Sequence, residues 1–438
     1  MYRHCAAPST TLSTPSDSTP QPLAAIEALE RRGHWGIKKG LDNIRALLAG
    51  LGGPEGAFPA VLIAGTNGKG STGAFLAHGL RAAGLNVGWT TSPHLLCPAE
   101  RIWIDGRRVD DARLDSLLSR VLQAESAAGV TATYFELIVA AAMLAFRDSK
   151  VDVALVEVGM GGRWDATNAL DPILTVLTNV AMDHMEHLGY TPEAIATEKL
   201  CTARDGRPLV LGPGLDPAWL APLCETKPKM VSSKEFGGEV FWEGSVVCGH
   251  RIKLAGRHQL KNLATALTSI EALRGLGWAL DIDRVWEGFS NAEWPGRLWR
   301  SPSLPPNVVL DGAHNLAGAE ALAAHLVECR VRPRIFFAAM GDKDMAGMAR
   351  ALASAGPLGV TVVVGDDPRW AAPEAMQEAW GAAGTAAQGP KAAGHSETPV
   401  ATIGELALKL REESSDKYLV TGSLYFLGRL LKEMDISL

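Results

Sequence analysis

"AVLIAGTNGKGSTGAFLAHGL", residues 60–80, joins an apolar strand-like run to a stretch of helical periodicity through a glycine-rich turn. The turn is similar to a phosphate-binding loop, but the usual pattern G-x-x-x-x-G-K-[ST] has its hydroxyl directly after the lysine. Here Gly70 follows Lys69, and Ser71 comes one position later. Three interpretations are open: a defective nucleotide site, a chance cluster of glycines, and a working phosphate loop of another kind.

The setting of this turn between a strand and a helix favours a working loop. Backbone N–H groups and the helix dipole attract an anion at the start of a helix. Lys69 would neutralise the β- and γ-phosphates of a bound nucleotide. The alternative is a tight turn that carries an exposed lysine. We therefore predict nucleotide binding at residues 65–71.

The composition of the chain is that of a globular protein of two or three domains, with 438 residues, 47% hydrophobic and 21% charged. A net charge of -6 argues against a general nucleic-acid binder. No apolar run approaches the roughly 18 residues of a membrane-spanning helix. The six cysteines are scattered without a C-x-x-C pair, which indicates reduced thiols. We expect a cytoplasmic protein that binds neither nucleic acid nor membrane.

Strand-like and helical stretches alternate along most of the chain, which predicts an α/β fold with a parallel, doubly wound sheet. A stretch rich in helix- and strand-breaking residues, 290–307, marks a boundary, and the alternation then starts again. We predict a disordered leader at 1–20, a P-loop type, doubly wound ATPase domain at 21–293, and a smaller Rossmann-like α/β domain at 298–438. Residues 366–400, rich in Ala, Gly and Pro, are expected to form a loose surface excursion.

Polar residues follow four of the predicted strands of the first sheet. In chain order, the pairs or single residues are Lys69 with Ser71, Ser92 with His94, Glu157, and Asp183 with His184. Ligands of doubly wound sheets gather beyond the carboxyl ends of the strands. Taken singly, Glu157 could cap a helix and His184 could be a core histidine. Their convergence on one edge predicts a site for phosphate and Mg²⁺.

A set of further motifs makes a family resemblance specific. The motifs are "GTNGKGS" (65–71), "TSPHL" (91–95), "VEVGMGGRWDATN" (156–168), "TNVAMDHMEHLG" (178–189), "EKL" (198–200), "GRHQLKNLATAL" (256–267), "WPGRL" (294–298), "DGAHN" (311–315), "GDKD" (341–344) and "VTGSLY" (420–425). From about residue 23 to the C-terminus, the chain resembles the folylpolyglutamate/dihydrofolate synthetases of the ATP-dependent Mur ligase superfamily. In that superfamily a glycine after the loop lysine is normal.

The resemblance implies a ligase that adds L-glutamate to a folate-type carboxylate. ATP converts the carboxylate to an acyl phosphate, because a free carboxylate is a poor electrophile at neutral pH. The α-amine of L-glutamate then attacks and releases phosphate. Mg²⁺ and Lys69 would stabilise the charge during phosphoryl transfer. The acceptors implied are dihydropteroate and reduced folates, and the implied oligomeric state is a monomer.

The resemblance also implies roles for individual residues. The triphosphate would be held by Gly68, Lys69, Gly70 and Ser71, and closed over by Asn262, Arg297, Asp311 and His314. The Mg²⁺ shared with ATP would bind Ser92 and Glu157, and a second Mg²⁺ would bind Glu157, His184 and Lys199. Lys199 would carry a carbamate, so that Lys69, His184 and Lys199 act in catalysis. The pterin-bearing substrate would contact Tyr134, Phe135, Glu136, Gly161, Gly162 and Arg163.

Several positions depart from the pattern of the family without removing a catalytic group. They are Met160, Trp164, Cys201 and Leu316. Trp164 bears on which acceptor is preferred, since it lies beside the predicted pterin site.

Three other functions stay open beside the bifunctional enzyme. One is a folylpolyglutamate synthase alone. The second is a cell-wall Mur ligase, for which the roughly forty residues between the leader and the phosphate loop are too few to form the usual nucleotide-sugar domain. The third is a nucleotide-binding regulator that has lost catalysis. Lys199 also keeps an alternative interpretation, that of a lysine on the surface of a helix.

Overall fold

A computed structural model of the chain describes residues 23–33, 38–388, 398–412 and 414–438. The predicted leader, residues 1–20, lies outside these ranges. Within them, none of the helices has the length and apolar composition needed to cross a membrane.

The chain up to residue 291 builds one large and one small sheet with their helices. The helices are α1 Ala24–Glu30, α2 Asp42–Gly50, α3 Lys69–Ala82, α4 Asp111–Ala128, α5 Tyr134–Asp148, α6 Met185–Leu188, α7 Pro192–Leu200, α8 Pro217–Leu220, α9 Arg257–Gly275 and α10 Ile282–Asn291. The strands are β1 Ala60–Ala64, β2 Val87–Thr90, β3 Ile102–Ile104, β4 Arg107–Arg108, β5 Val153–Glu157, β6 Leu174–Leu177, β7 Pro208–Leu211, β8 Lys229–Ser232, β9 Glu239–Phe241, β10 Gly244–Val247 and β11 His250–Ile252.

The large sheet has the strand order β4-β3-β2-β5-β1-β6-β7-β8. β1 pairs in parallel with β5 on one side and β6 on the other, and β2 pairs in parallel with β5. Near one edge, β3 pairs antiparallel with β2 on one side and with β4 on the other. All five residues of β1 are buried, as expected for a parallel strand with helices on both faces. The predicted doubly wound parallel sheet is confirmed, and the ends of β2, β5, β1 and β6 lie side by side.

A second parallel sheet follows the boundary stretch. Its strands are β12 Val308–Asp311, β13 Arg334–Phe337, β14 Gly359–Val364, β15 Val400–Thr402 and β16 Tyr418–Thr421, in the order β12-β16-β13-β14-β15. Its helices are α11 Leu316–Glu328, α12 Met345–Ala353, α13 Pro373–Gln388, α14 Ile403–Arg411 and α15 Leu424–Glu433. The prediction of a second α/β unit is therefore confirmed.

The prediction of a loose surface excursion at 366–400 is wrong for residues 373–388, and its residues 389–397 lie outside the described ranges. Residues 373–388 form α13, which buries Met376 and Trp380 in the core of the second unit. Alanine supports a helix as well as any residue, so the high Ala content did not indicate a loop.

The small antiparallel sheet of β9, β10 and β11 was not predicted from the sequence. Trp242, in the turn between β9 and β10, reaches the second unit. Its ring stacks on the imidazole of His325, with ring centroids 5.6 Å apart. The guanidinium of Arg300 and the ammonium of Lys417 lie 5.6 Å and 5.5 Å from the Trp242 ring. The hairpin therefore joins the first unit to the second through one aromatic side chain held between cations.

The crossing of α3 and α10 depends on glycines that let two backbones touch. A Cβ added at Gly288 of α10 would lie 2.3 Å from the carbonyl oxygen of His78 and 2.7 Å from the Cα of Gly79. Beside this contact, Phe289 packs edge-to-face on Phe75, with ring centroids 5.8 Å apart. The helix that begins at the phosphate loop is thus held by a contact that admits no side chain.

We expect Gly288→Ala to destabilise the protein by ~1–3 kcal/mol, because the new methyl group meets backbone atoms that cannot move aside. Urea unfolding followed by tryptophan fluorescence measures the change. Gly275→Ala is the matched control, since a Cβ at this last residue of α9 meets nothing within 4 Å. The control should be neutral or slightly stabilising. Equal midpoints for the two variants would contradict the proposed backbone contact.

Candidate active site

The glycines of the phosphate loop occupy positions where no side chain fits. Gly65 has φ +144°, and a Cβ there would lie 1.8 Å from Oγ1 of Thr178. Gly68 has φ +82°, and a Cβ there would lie 2.3 Å from Oδ1 of Asn262. Both φ angles lie in the region that favours glycine. The spacing of the glycines is therefore required by the packing of the loop, and a chance cluster is excluded.

Lys69 begins α3 and folds back over the loop. Its Nζ donates hydrogen bonds to the carbonyl oxygens of Gly65 and Thr66, at 3.1 Å and 3.2 Å. Gly70 and Ser71, in the first turn of α3, are buried. The unpaired N–H groups of this first turn and the ammonium of Lys69 together attract an anion to the loop. This is the arrangement predicted for the phosphate site.

Glu157 ends β5 next to β1, where it is paired in register with Ile63. It caps no helix, so that alternative is wrong. Burial raises the pKa of its carboxyl to about 7, against the lowering effects of the Lys69 and Arg297 charges and of a hydrogen bond from the backbone of Ser92. Ser92, from the turn after β2, is thereby brought to the end of β5. Two residues predicted to bind Mg²⁺ are therefore in contact, and the carboxyl of one of them, Glu157, feels the charge of the loop lysine.

His184 follows β6 and occupies the N-cap position of the short helix α6. Burial lowers the pKa of its imidazole to about 4, although the charge of Asp183 opposes this shift; the positive charge of Lys343 adds to it. The neutral imidazole is the form that binds metals. The neighbouring Asp183 stays ionised: burial acts to raise its pKa, but the nearby His314 side chain and the surrounding positive charges hold it well below its usual range.

Lys199 lies in the last turn of α7 and is 4% exposed. The interpretation of a surface lysine is therefore wrong. Its Nζ donates to the carbonyl oxygen of Gly65 at 3.1 Å, which is also an acceptor for Lys69. Burial, followed by the charge of Lys69, lowers the pKa of Lys199 to about 7, against the opposing charges of Asp183 and Asp165. Lys199 is thus a buried amine beside the phosphate loop.

The candidate metal ligands supply only part of a coordination shell. Across the described ranges, no group of three or more His, Cys, Asp or Glu side chains is arranged to hold a metal ion. Mg²⁺ in nucleotide sites takes one or two carboxylates and completes its shell with phosphate oxygens and water. The hydroxyl of Ser92 and the buried carboxyl of Glu157 fit a cation of this kind that arrives with a nucleotide.

The residues predicted to close over the nucleotide make different contacts. Asn262, on α9, abuts Gly68 as described above. Arg297 lies close to Gly312, where a Cβ would be 2.6 Å from its Nη1. The carboxylate of Asp311 accepts backbone N–H groups from Leu298 and Ala313, at 2.8 Å and 2.9 Å. Asp311 is therefore occupied in fixing the turn that carries Arg297.

His314 turns toward the first unit. Its Nδ1 lies 2.9 Å from the carbonyl oxygen of Gly312, and its Nε2 lies 3.7 Å from Oδ2 of Asp183. The imidazole of His314 in the second unit therefore lies near the carboxylate of Asp183, which follows β6 in the first unit.

Of the residues predicted to contact the acceptor, two have charged side chains that are engaged within the protein. The carboxylate of Glu136 accepts the backbone N–H of Thr133 at 2.7 Å and so caps α5. The guanidinium of Arg163 pairs with Glu198 at 2.9 Å and Glu225 at 2.8 Å. These ion pairs tie the glycine-rich turn to α7 and raise the pKa of Arg163.

Of the other four predicted acceptor residues, Gly161 and Gly162 belong to the glycine-rich turn, Phe135 packs against it, and Tyr134 lies beside Arg101. Tyr134 is buried below the guanidinium of Arg101, 5.2 Å from its ring. Phe135 packs against Gly159, where a Cβ would come within 2.8 Å of its ring. Gly161 has φ +66°, and a Cβ at Gly162 would lie 2.5 Å from the carbonyl oxygen of Glu198. Trp164, next along the chain, is 48% exposed.

Several residues of the site were not singled out from the sequence. Arg101 is buried, and its Nε lies 2.9 Å from Nδ1 of His94. Asn67 and Asn315 exchange two hydrogen bonds, and Lys343 pairs with Asp183. Asn67, Asn315 and Lys343 lie inside the quoted motifs "GTNGKGS", "DGAHN" and "GDKD", which is the signal that could have identified them.

Comparisons with known proteins agree with this architecture. Residues 63–201 match the family model of the Mur ligase middle domain, and residues 296–424 match that of the Mur ligase glutamate ligase domain. The dihydrofolate synthase/folylpolyglutamate synthase of Mycobacterium tuberculosis is 37% identical over 377 residues, which cover 76% of this chain and 77% of the relative.

Two solved structures superpose over nearly the whole chain. Escherichia coli FolC in complex with DHPP and ADP has a TM-score of 0.79 at 27% identity, covering 95% of this chain and 98% of that one. The bifunctional folylpolyglutamate synthase/dihydrofolate synthase of Yersinia pestis, complexed with AMPPNP and Mn ion, has a TM-score of 0.77 at 27% identity, covering 95% and 99%. The chain therefore belongs to the dihydrofolate synthase/folylpolyglutamate synthase family of the Mur ligases.

Proposed function

We propose that this chain is an ATP-dependent carboxylate–amine ligase that adds L-glutamate to dihydropteroate and to the γ-carboxylate of reduced folates. The observation that carries the proposal is the meeting of Lys69, Glu157 and Lys199 at the carboxyl ends of neighbouring strands. They lie opposite His314 of the second unit and Arg297 of the boundary stretch. An ATP-activated amide synthesis needs these parts: an anion site, a metal-binding edge and a cover against water.

The phosphate loop and the start of α3 bind the β- and γ-phosphates. Lys69 neutralises the charge that develops as the γ-phosphoryl group passes to a carboxylate oxygen of the acceptor. ADP leaves, and the acceptor becomes an acyl phosphate. The α-amine of L-glutamate attacks the acyl carbon, a C–N bond forms, the C–O bond to phosphate breaks, and the amine loses a proton. Lys69 thus contributes by electrostatic stabilisation, not by bonding to the substrate.

Mg²⁺ would supply positive charge to the phosphate oxygens when bound. Ser92 and Glu157 would hold it in the first site, and Glu157, His184 and a carbamate on Lys199 would hold it in the second. Glu157 loses its proton when a cation is present, because a positive charge favours the carboxylate over the buried acid. The neutral imidazole of His184 is already in the form that a metal requires.

The environment of the Lys199 amine supports the proposal of a carbamate there. Only an unprotonated amine attacks CO₂, and the reaction forms an N–C bond and releases one proton. A pKa near 7 leaves a large fraction of Lys199 unprotonated at neutral pH. The change from a cation to an anion also removes the repulsion between Lys199 and Lys69, which share the carbonyl oxygen of Gly65.

Both acceptors present a carboxylate at the end of a pterin–aminobenzoyl rod, so one activation site can serve both. The rod lies along the glycine-rich turn at Gly161 and Gly162, with Tyr134 and Phe135 as its walls. Glu136 and Arg163 act there by fixing the turn and its helices.

We further propose that residues 21–293 and 298–438 are the two domains of a monomer that acts in the cytoplasm. The end of α10 at Asn291 and the start of β12 at Val308 are in keeping with these bounds.

Replacement of Lys69 tests the phosphate site. We expect Lys69→Ala to lower ATP-dependent phosphate release by ~10²–10³-fold with little change in thermal stability, because it removes one charge from the transferring phosphoryl group. Lys409→Ala, at an exposed lysine paired with Glu412, is the control and should keep wild-type turnover. Wild-type turnover in Lys69→Ala would show that catalysis uses another phosphate site.

Labelled bicarbonate tests the carbamate. In protein equilibrated with ¹³C-bicarbonate, we expect a carbamate resonance in the ¹³C spectrum that is absent from Lys199→Ala and retained in Lys409→Ala. Removal of CO₂ should lower the activity of the wild-type enzyme reversibly, whereas Lys199→Ala should be insensitive to it. A spectrum that is the same for all three proteins would overturn the assignment of Lys199.

The choice of acceptor is tested by phosphate release with ATP, Mg²⁺ and L-glutamate. We expect turnover with dihydropteroate and with tetrahydrofolate, and none when L-glutamate is omitted. Turnover with tetrahydrofolate alone would identify a folylpolyglutamate synthase. A lack of turnover with both, combined with nucleotide binding, would instead support the regulator, and activity with a muramyl peptide would support the cell-wall ligase.

A further inference from the structure

Asn315 joins the second unit to the phosphate loop of the first. Its Nδ2 donates to Oδ1 of Asn67 at 3.0 Å, and Nδ2 of Asn67 donates back to Oδ1 of Asn315 at 3.2 Å. Nδ2 of Asn315 also donates to Oδ2 of Asp183 at 2.9 Å. Asn315 is 4% exposed, and its hydrogen bond to Asp183 is buried, whereas the pair of bonds with Asn67 is partly buried. Both polar atoms of the Asn315 amide have partners, and the loss of those partners would cost free energy because the amide is buried.

Asp183 is a second point of contact between the two units, beside the contact of Asn67 with Asn315. Its Oδ1 accepts a hydrogen bond from Nζ of Lys343 at 2.9 Å, and the side chain of Lys343 is only 10% exposed. His314 approaches the other oxygen, as described above. One carboxylate of the first unit therefore meets three side chains of the second, and it has a charge-assisted hydrogen bond among them.

The loop side of this contact is itself held in place. The backbone N–H of Asn67 donates to Oδ1 of Asn179 at 2.8 Å, and its carbonyl oxygen accepts the hydroxyl of Thr178 at 2.6 Å. Asn67 also directly precedes Gly68, the N-cap of α3. A shift of the loop on binding phosphate therefore reaches Asn315 through a single pair of amides.

We propose that Asn67, Asn315, Asp183 and Lys343 form an interdomain latch in which Asn315 is the positioning residue, docking the second unit on the phosphate loop so that Arg297 and His314 face the reacting groups. This inference rests on the proposed function for its catalytic consequence. Its structural consequence, the docking of the two units, stands apart from that function and is measured separately.

A simpler role for Asn315 is that of a helix cap. Its Oδ1 accepts the backbone N–H of Gly318 at 2.9 Å at the start of α11. Aspartate caps helices as well as asparagine does. Asn315→Asp therefore keeps the cap, but it removes both donor hydrogen bonds of Nδ2 and sets a negative charge against Asp183. This substitution separates the latch from the cap.

The experiment measures three quantities in wild type, Asn315→Asp and the double variant Asp183→Asn/Asn315→Asp. They are the affinity for a non-hydrolysable ATP analogue by calorimetry, kcat for glutamate addition, and the radius of gyration in solution scattering with the analogue bound. In the double variant the amide introduced at position 183 can donate to the carboxylate introduced at position 315, so the crossing hydrogen bond returns with its direction reversed. Asp281→Asn, at the exposed N-cap of α10, is the control for exchange of Asp and Asn in a cap.

We expect Asn315→Asp to lower kcat by up to ~10²-fold, since a small misplacement of reacting groups costs that much. Its analogue affinity should stay within a few-fold of wild type, and its radius of gyration should increase. The double variant should recover at least ~5-fold of the lost kcat and the compact radius, a coupling expected for residues in direct contact. The control should match wild type in all three measurements.

Three outcomes would overturn the latch. Wild-type kcat and radius in Asn315→Asp would show that the contact does not position the second unit. A loss that the double variant does not recover would assign Asn315 to the cap or to the fold of α11. An unchanged radius with lower kcat would show a local effect. If the wild type itself lacks ligase activity, the proposed function fails, while the scattering comparison of the variants still decides the latch.

Discussion

At the end of β6, Thr178 lies between two backbones that leave no space for side chains. A Cβ at Gly65 would stand 1.8 Å from its hydroxyl oxygen, and a Cβ at Gly212 would stand 1.9 Å from its carbonyl oxygen. The same hydroxyl donates to the carbonyl of Asn67 and so sets the course of the loop. Because the loop is fixed by a neighbouring strand, the anion site, the buried lysines and the contact with the second unit all depend on this one packing arrangement.

The buried ionisable groups around the loop have pKa values that suit a site for both anions and cations. Glu157 has a pKa raised to about 7 and Lys199 a pKa lowered to about 7, each chiefly by burial. Both groups can therefore change charge at neutral pH, whereas Asp183 stays ionised among its cationic partners. A bound metal would stabilise the ionised carboxylate of Glu157, and the phosphates of a nucleotide would stabilise the protonated amine of Lys199. Without them, burial favours the uncharged form of both groups.

The sequence predicted what depends on local pattern and missed what depends on distant contacts. Buried strands such as β1 and the turn at Lys69 follow from apolar runs and glycines. Glu157 and His184 follow from their positions after predicted strands, and the resemblance supplied Lys199. The strands of the small sheet are short and partly polar, so no periodicity marked them. The groups that Glu136 and Arg163 contact could not be predicted from the sequence either, because a charged residue in a motif does not reveal its partner. Asn315 crosses 248 positions of sequence to reach Asn67.

The hairpin that carries Trp242 limits how the two units can move. With its ring stacked on His325 and flanked by Arg300 and Lys417, sliding one unit along the other would pull an indole out of its aromatic and cationic surroundings. A rotation about the hairpin would keep those contacts while it separated the phosphate loop from α11. Such a rotation would return the same atoms opposite one another each time the units closed, so the position of Trp242 would restore the geometry of the site.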